Sequence, residues 1–484
     1  MLKIPVSAFR RGSAFRSRWP AAALAAALLA IPAAASAEAE PGIWDRQRLL
    51  GDPGGIRSRM EESGIKIRLT ETSTVWANAT GGIRRGVVYN GLAELGVELD
   101  TGKMGLWQGG LFVASALQIR GRGPSTNLVG AGFNPVATTE ATSTTRLYDL
   151  YYEQSLFDER LSIRIGQFRA DSEFALSQYG PEDDDEDGLP LASATELFQN
   201  GTFGFPAIAA AGLPQGGPAY PMGALGIRVK AKPTDNFTLL AAVFNGLTAG
   251  QGTMNPQMMN RDGARFPLGD GVTAFLEAQY AVNQGRFGPG LPGMYRIGAW
   301  FNNAGVGDVR YDNRGLSLAD PASNGTPYRH RATYGFYIGG DQMLWRPDGE
   351  SKDKGIGVFA RIMGSPDNRN PLGFYVNGGM TWKGMFPERE DDVFGLGVAY
   401  ALVGAASRGF DTDVVAFNPG RFSPTRSAEV VIEATYSYVA APWWIIKPDI
   451  QYVIRPGGGV VNPNDPTQLI GNAFVFGLGT QIKF

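Results

Sequence analysis

The last thirteen residues, Asn472 to Phe484, read NAFVFGLGTQIKF and end on an aromatic. Phe474, Phe476, Leu478, Thr480, Ile482 and Phe484 fall on one side of a β-strand; Ala473, Val475, Gly477, Gly479, Gln481 and Lys483 fall on the other. One face is greasy and the other small or polar, in strict period two. A strand of a soluble sandwich can alternate in the same way, but a soluble chain rarely finishes on an unprotected apolar strand beside its own carboxylate. The segment calls for a neighbouring strand on each edge and an apolar medium against one face.

Residues 1–37 carry the three parts of a secretory signal: cationic Lys3, Arg10, Arg11, Arg16 and Arg18, an apolar stretch from Ala21 to Ile31, and small Ala35, Ser36 and Ala37 before Glu38. The apolar stretch is shorter than the roughly twenty residues of a membrane helix, so cleavage and a mature start at Glu38 are expected. Subtracting those five cations from 44 leaves 39 Lys+Arg against 46 Asp+Glu, a net charge near −7 that argues against a nucleic-acid partner. Zero Cys excludes a disulfide scaffold, thiol catalysis and Cys-based metal sites. After Glu38 no apolar run reaches eighteen residues. A closed barrel is then the only membrane-spanning form available, because it alone satisfies every backbone group in lipid. About 447 remaining residues would suggest two or three soluble domains, but no linker divides them, and one single-layer structure fits better.

Residues 38–64 read as a periplasmic preface, with Trp44, the turn-prone Gly51-Asp52-Pro53-Gly54-Gly55 and a short helix from Ile56 to Glu62. Sixteen strand candidates follow, at about 65–77, 88–100, 105–120, 144–156, 160–169, 223–232, 236–245, 271–283, 293–303, 329–345, 354–364, 371–383, 392–404, 427–440, 443–455 and 472–484. Short breaks alternate with long ones at 121–143, 170–222, 246–270, 304–328, 405–426 and 456–471. This is the rhythm of an all-β, transmembrane, antiparallel up-and-down β-barrel of about 16 strands over 65–484. The even count returns both ends to the periplasm.

Facing follows from the alternation. In 443–455, Trp444, Ile446, Pro448, Ile450, Tyr452 and Ile454 point to lipid, while Lys447, Asp449, Gln451 and Arg455 point to the lumen. In 426–440, Ala428, Val430, Ile432, Ala434, Tyr436 and Tyr438 face out, with Glu429, Glu433, Thr435 and Ser437 inside. The same reading puts Glu94, Glu98, Asp100, Arg228, Lys230, Arg296, Trp300 and Asn302 in the lumen. A soluble barrel would invert this pattern. Aromatics near strand ends (Tyr148, Tyr152, Tyr280, Tyr334, Tyr436, Tyr438, Trp444 and Phe484) suit a membrane interface instead. Sixteen strands also enclose too wide a bore for side chains to fill. In bacterial outer-membrane barrels a terminal aromatic closes the barrel and signals its assembly machinery, and Phe484 fits that role.

Several short motifs occur in order along the chain. Leu50-Gly51-Asp52-Pro53-Gly54-Gly55-Ile56-Arg57 leads to Ser63-Gly64-Ile65. Asn200-Gly201-Thr202-Phe203-Gly204-Phe205-Pro206 sits in the third long loop, Tyr220-Pro221 precedes Gly226-Ile227-Arg228, and Pro448-Asp449-Ile450-Gln451-Tyr452 precedes Arg455-Pro456-Gly457-Gly458. In these the chain resembles the carbohydrate-selective OprB-type porins of Gram-negative outer membranes, with Pro53 where that family commonly has Trp. The resemblance implies a sixteen-stranded channel, narrowed by inward-folded loops, that passes monosaccharides and polyols down their gradient. Binding along such a path must stay weak, or the solute would not leave.

The long loop 170–222 contains Phe198, Asn200, Phe203 and Phe205 and is expected to fold inward as the constriction; packing on itself outside is the alternative. Arg164, Arg228, Arg296, Arg361 and Arg455 lie on polar faces of different strands. They are candidates for a basic wall opposite Glu94, Glu98, Asp149, Glu153, Glu429, Glu433 and Asp449, or for ion pairs that stiffen the barrel. Within 182–187, Asp183, Asp185 and Asp187 with Gly188 match the first half of a calcium loop, but position twelve is Ala194. A solvated acidic tip that disfavours anions is the plainer reading, and no other cofactor is implied. The single His330 has neither a G-x-S-x-G motif nor a metal-ligand pair to work with, so no enzyme is expected. A porin for other small solutes and a barrel used for surface adhesion are the alternatives in function. The sequence leaves a homotrimer open.

Overall fold

The computed structural model describes residues 41–177, 194–284, 290–347, 354–420 and 422–484. The expected signal segment and the acidic run 182–187, with its candidate calcium ligands Asp183, Asp185 and Asp187, lie outside them.

Sixteen antiparallel strands close into a barrel, each hydrogen-bonded to the next in the chain and the last to the first. They are β1 (Ile65–Gly82), β2 (Gly86–Asp100), β3 (Gly110–Gly121), β4 (Thr144–Leu156), β5 (Leu161–Phe168), β6 (Ala224–Thr234), β7 (Phe237–Asn245), β8 (Val272–Val282) and β9 (Gly293–Asn302). After a loop hairpin of β10 (Val306–Asp312) and β11 (Pro327–His330), the wall resumes with β12 (Thr333–Trp345), β13 (Gly355–Gly364), β14 (Leu372–Lys383), β15 (Val393–Val403), β16 (Ala428–Ala441) and β17 (Trp444–Ile454). A second small hairpin, β18 (Val461–Asn462) and β19 (Asp465–Leu469), precedes the closing β20 (Gly471–Lys483). The short breaks gather on the rim that holds both ends of the barrel, the base. The long ones gather on the opposite rim.

Period two holds around the wall. On β17, Asp449, Gln451 and Val453 are buried while Pro448, Ile450 and Tyr452 are exposed. On β20, Ala473, Val475, Gly477 and Gly479 are buried, and Phe476 and Leu478 are exposed. Apolar side chains thus point out over most of the surface, which a water-soluble barrel could not sustain. Tyr280, Tyr334 and Tyr438 are exposed on this outer face.

Tyr148 is not with them. Leu147 and Leu150 of β4 face Ala116 and Ala114 of β3, so Tyr148 and Asp149 together oppose Ser115. This β-bulge inserts one residue and flips the facing along the strand. Tyr148 is therefore buried inside the barrel, with the Arg169 guanidinium 4.5 Å above its ring. Arg455 also departs from the expected lumen wall. It follows β17 in a left-handed conformation (φ 51°) and, exposed at the rim, donates to the Ser427 hydroxyl at 2.9 Å.

The segment before β1 packs on the base. Asp52 accepts from the backbone N–H groups of Arg57 and Ser58 and so holds the start of the helix Ile56–Glu62. Pro53 opens a single 3-10 turn immediately before it. Leu49 N–H donates to the Lys483 carbonyl at 2.9 Å, and Arg57 donates to the Phe484 carbonyl at 3.2 Å. Trp44 stacks on Trp443 and Trp444 at 6.3 and 6.5 Å. The preface fastens the chain's C-terminal end against β1.

Candidate functional site

The lumen is occupied in part by chain from the long-loop rim. Residues 169–177 and 194–223 descend into the bore and are gripped there through their backbone. Glu433 of β16 accepts from the N–H groups of Gln199 (2.6 Å) and Asn200 (3.1 Å). Three strands away along the wall, Arg361 of β13 donates to the carbonyls of Ala175 (2.5 Å), Phe203 (2.6 Å) and Gly204 (3.1 Å). Asn200 caps the helical turn Gly201–Gly204 with its Oδ1 and donates from Nδ2 to Gln451 Oε1 at 2.9 Å. Each anchor is buried, where a polar group left without its partner would carry its full desolvation cost.

The aromatic residues of this segment complete the docking. Phe198 and Phe203 stack with centroids 4.4 Å apart, and Phe359 of β13 closes on both at 5.6 and 6.1 Å. The facing wall of β15 is cut away to admit them. A Cβ on Gly395 would stand 2.7 Å from the Leu197 side chain, and one on Gly397 would stand 2.8 Å from the Phe203 ring. Phe205 is half-buried beside this cluster.

A second loop enters from the same rim. The Glu429 carboxylate accepts from the N–H groups of Gly132 (2.7 Å), Phe133 (3.1 Å), Asn134 (2.5 Å) and Gly457 (2.5 Å). Gln451 donates to the Val136 carbonyl and to Asp449, both at 2.9 Å. Glu429, Glu433 and Asp449 are thus on the inner face, as the alternation requires, but they are buried against loops instead of lining water.

The basic residues do not form one wall opposite the acids. Arg164 and Arg228 sit beside Glu153, at 2.7 and 2.9 Å, and both also reach Glu173 of the inward segment, at 3.2 and 2.7 Å. Arg296 pairs with Asp341 across the β9–β12 seam, and Trp300 stacks on Tyr337 at 6.2 Å. Glu277 accepts from the Tyr337 hydroxyl and from the Ala175 N–H, at 2.5 and 2.7 Å. Glu98 meets Arg68 at 2.5 Å, and Asp149 is held by Ser115 inside the bulge. Glu94 shares the inner face of β2 with Glu98, and Lys230 shares that of β6 with Arg228. Glu173, Glu277 and Asp341 were not singled out from sequence. The odd-numbered inner facing of β8 and of β12 would have placed the last two in the lumen.

Between the inward segment and the wall lies a cavity of ≈ 350 Å³, within the range of roughly 300–1,000 Å³ usual for small-molecule sites. Its polar lining is largely neutral: Thr72, Thr138, Thr139, Gln199, Ser437 and Gln481. The charged groups balance, with Lys383 and Lys447 against Glu196 and Asp391. Lys447 also donates to the Glu196 carbonyl at 3.0 Å. Lys383 and Asp391 place this cavity toward the base rim.

With the barrel and its loop-narrowed bore established, sequence comparison decides the family. Residues 84–484 match the profile of the carbohydrate-selective porins, OprB family. The chain belongs to the OprB family. Porin B of Pseudomonas aeruginosa is 25% identical over 467 residues, spanning 90% of this chain and 91% of that one. A putative porin, QuiX, of Acinetobacter baylyi is 23% identical over 470 residues, spanning 91% and 94%. The high-pH structure of Pseudomonas putida OprB superposes with a TM-score of 0.76 at 24% identity, covering 93% of this chain and all of that one. As an OprB-family barrel the protein is an outer-membrane channel. The Leu50–Arg57 motif and Ser63-Gly64-Ile65 lie ahead of the stretch that the family profile covers.

Proposed function

We propose that this OprB-family porin passes neutral polyhydroxyl solutes, monosaccharides and polyols, by passive diffusion, with the loop 170–222 as the constriction and no chemical step. The observation that carries this reading is the cavity beneath the segment. Its hydroxyl and amide lining satisfies sugar hydroxyls, and its two cations and two acids leave little net field to favour either sign of ion. Many weak hydrogen bonds of this kind orient a sugar without trapping it.

Swelling of liposomes containing the purified protein, in glucose, amino acids and organic acids of matched size, tests the reading. Faster swelling in glucose supports it. Equal rates for all three classes would make the channel a general pore, and no swelling would remove transport altogether. The lumen pairs are separated from the path by Arg296→Ala: unchanged sugar flux would assign Arg296 to the wall alone.

A further inference from the structure

The rim that carries the long loops is basic over one sector. Arg84 and Arg85 lie in the turn between β1 and β2, and Arg120 and Arg122 lie at the neighbouring end of β3. The sequence has no Asp or Glu over 72–93, 101–139 and 466–484, which take in the upper parts of β1 and β2 and the whole of β3 and β20, although acids outnumber Lys and Arg in the chain by 46 to 44. Of the acids that border these stretches, Glu140 accepts from the N–H groups of Ser125 and Ala137 at 3.1 and 3.4 Å, and Asp465 accepts from Thr467. Glu71 shares the outer face of β1 with the exposed Leu69 and Val75 and pairs with Arg120, which also donates to Gln118 at 3.2 Å. Arg120 is thus satisfied within the chain. Among the described residues the other three charges have no acid: Arg84 donates to the Asn127 carbonyl at 3.0 Å, and Arg85 and Arg122 are exposed with no side-chain partner.

These charges begin where the apolar band ends. Phe112, in contact with Trp107 and Tyr152, marks the aromatic level of the base. Arg122 stands ten residues beyond it, which at the usual rise and tilt of a barrel strand is about 25 Å, and the apolar band of such barrels is about 25 Å tall. The Arg122 N–H donates to the Tyr89 carbonyl at 2.8 Å, so the two residues are level. Arg85 lies four residues past Tyr89 along the chain toward the turn, about 10 Å higher by the same rise and tilt. Below the arginines the outer wall is shallow, because Gly91, Ala93, Ala114 and Ala116 supply successive outward positions on β2 and β3. The exposed Val75, Val87 and Tyr89 stand above them.

We propose that Arg84, Arg85 and Arg122 form a binding site for the phosphates of lipopolysaccharide, with its acyl chains lying on the shallow wall below. Barrels of the outer membrane turn their longer loops outward, so this rim meets the leaflet built of that glycolipid. The guanidinium fork suits phosphate oxygens, and unpaired cations at a membrane surface attract anionic lipid. The arginines occupy two heights, which fits a headgroup that carries several phosphates better than one that carries a single phosphate. The site is independent of what the pore carries.

Titration of the purified protein with lipopolysaccharide, in nanodiscs that lack it, tests the inference, with bound lipid counted by native mass spectrometry. The wild type is expected to bind. The triple variant Arg84→Ser/Arg85→Ser/Arg122→Ser is expected to bind about a hundredfold more weakly, while the folded band on unheated gels and the solute flux stay unchanged. Dephosphorylated lipopolysaccharide is expected to lose as much affinity for the wild type, an arm that needs no variant to fold. Arg160→Ser, at an exposed arginine of the base, is expected to change nothing. Because the chain has no Cys, Arg85→Cys is expected to react in intact cells with a maleimide that does not cross the membrane. A wild type that does not bind, equal binding by the triple variant or of the dephosphorylated glycolipid, or an unlabelled Arg85→Cys overturns the proposal. Equal binding of phosphatidylglycerol, with its single phosphate, overturns it as well, by showing a general attraction to anionic lipid.

Discussion

Arg361 on β13 donates from Nη2 to the Phe203 carbonyl at 2.6 Å, joining the barrel wall to the segment that narrows its bore. The same guanidinium reaches the carbonyls of Ala175, Thr202 and Gly204, so one side chain serves four backbone carbonyls of the segment. Arg361→Ala is expected to destabilise the docked segment by about 2–4 kcal/mol, from carbonyls left unsatisfied. Single-channel recording should show a larger, noisier conductance and weaker discrimination among sugars. An unchanged trace would mean that the segment is held without Arg361.

Glu429 makes the corresponding contact for the loop at 132–134, through three backbone N–H groups, and takes a fourth from Gly457. Glu429→Ala strands all four. Amide hydrogen exchange is expected to speed up at Gly132, Asn134 and Gly457 while the barrel strands stay protected. Exchange that remained slow at those amides would show the loop to be held by other contacts.

Gly397 offers a test by addition. A Cβ there meets the Phe203 and Phe198 rings at 2.8 and 3.0 Å, so Gly397→Val must push the aromatic pair into the bore. Overpacking of this kind costs about 1–3 kcal/mol. The expected result is a lower unfolding temperature together with altered conductance, whereas Ala434→Val on the outer face of β16 should leave both unchanged.

Outside the membrane, Arg310 on β10 donates to Asp413 at 2.8 and 2.9 Å and so ties the loop hairpin to the helix Ala405–Phe417; Ser317 adds a third bond. The hydrogen bonds from Arg310 hold the Asp413 carboxyl below its ordinary value of 3.8. A depressed carboxylate pKa stabilises the folded form above the unfolded value and loses that contribution as pH falls through the folded one. Protease resistance of the helix is therefore expected to be flat from neutral pH down to about the ordinary carboxylate range, and to fall only below it. Arg310→Ala should move the loss upward. A transition near neutrality in the wild type would contradict this.

The barrel was legible because each strand states its own facing in period two, and the break lengths state which rim is which. What depends on two strands at once was not. The bulge at Tyr148 and Asp149 exists only relative to Ser115 on β3, so Tyr148 looked like an interfacial aromatic and is a buried one. Glu173 reaches Arg164 and Arg228 from a loop whose descent no local pattern encodes. Arg455 kept the parity of β17, but the strand had already ended at Ile454. Glu71 was readable: it shares a face with Ile67, Leu69 and Val75, where a charge is out of place.

The contacts made by Glu433, Glu429 and Arg361 all grip main-chain atoms of the loops they hold. Such a clasp does not sense which side chains those loops display. Related genes can therefore exchange the residues presented to a passing solute without dismantling the scaffold, and altered appetite for nutrients can evolve by substitutions in the clasped segment alone.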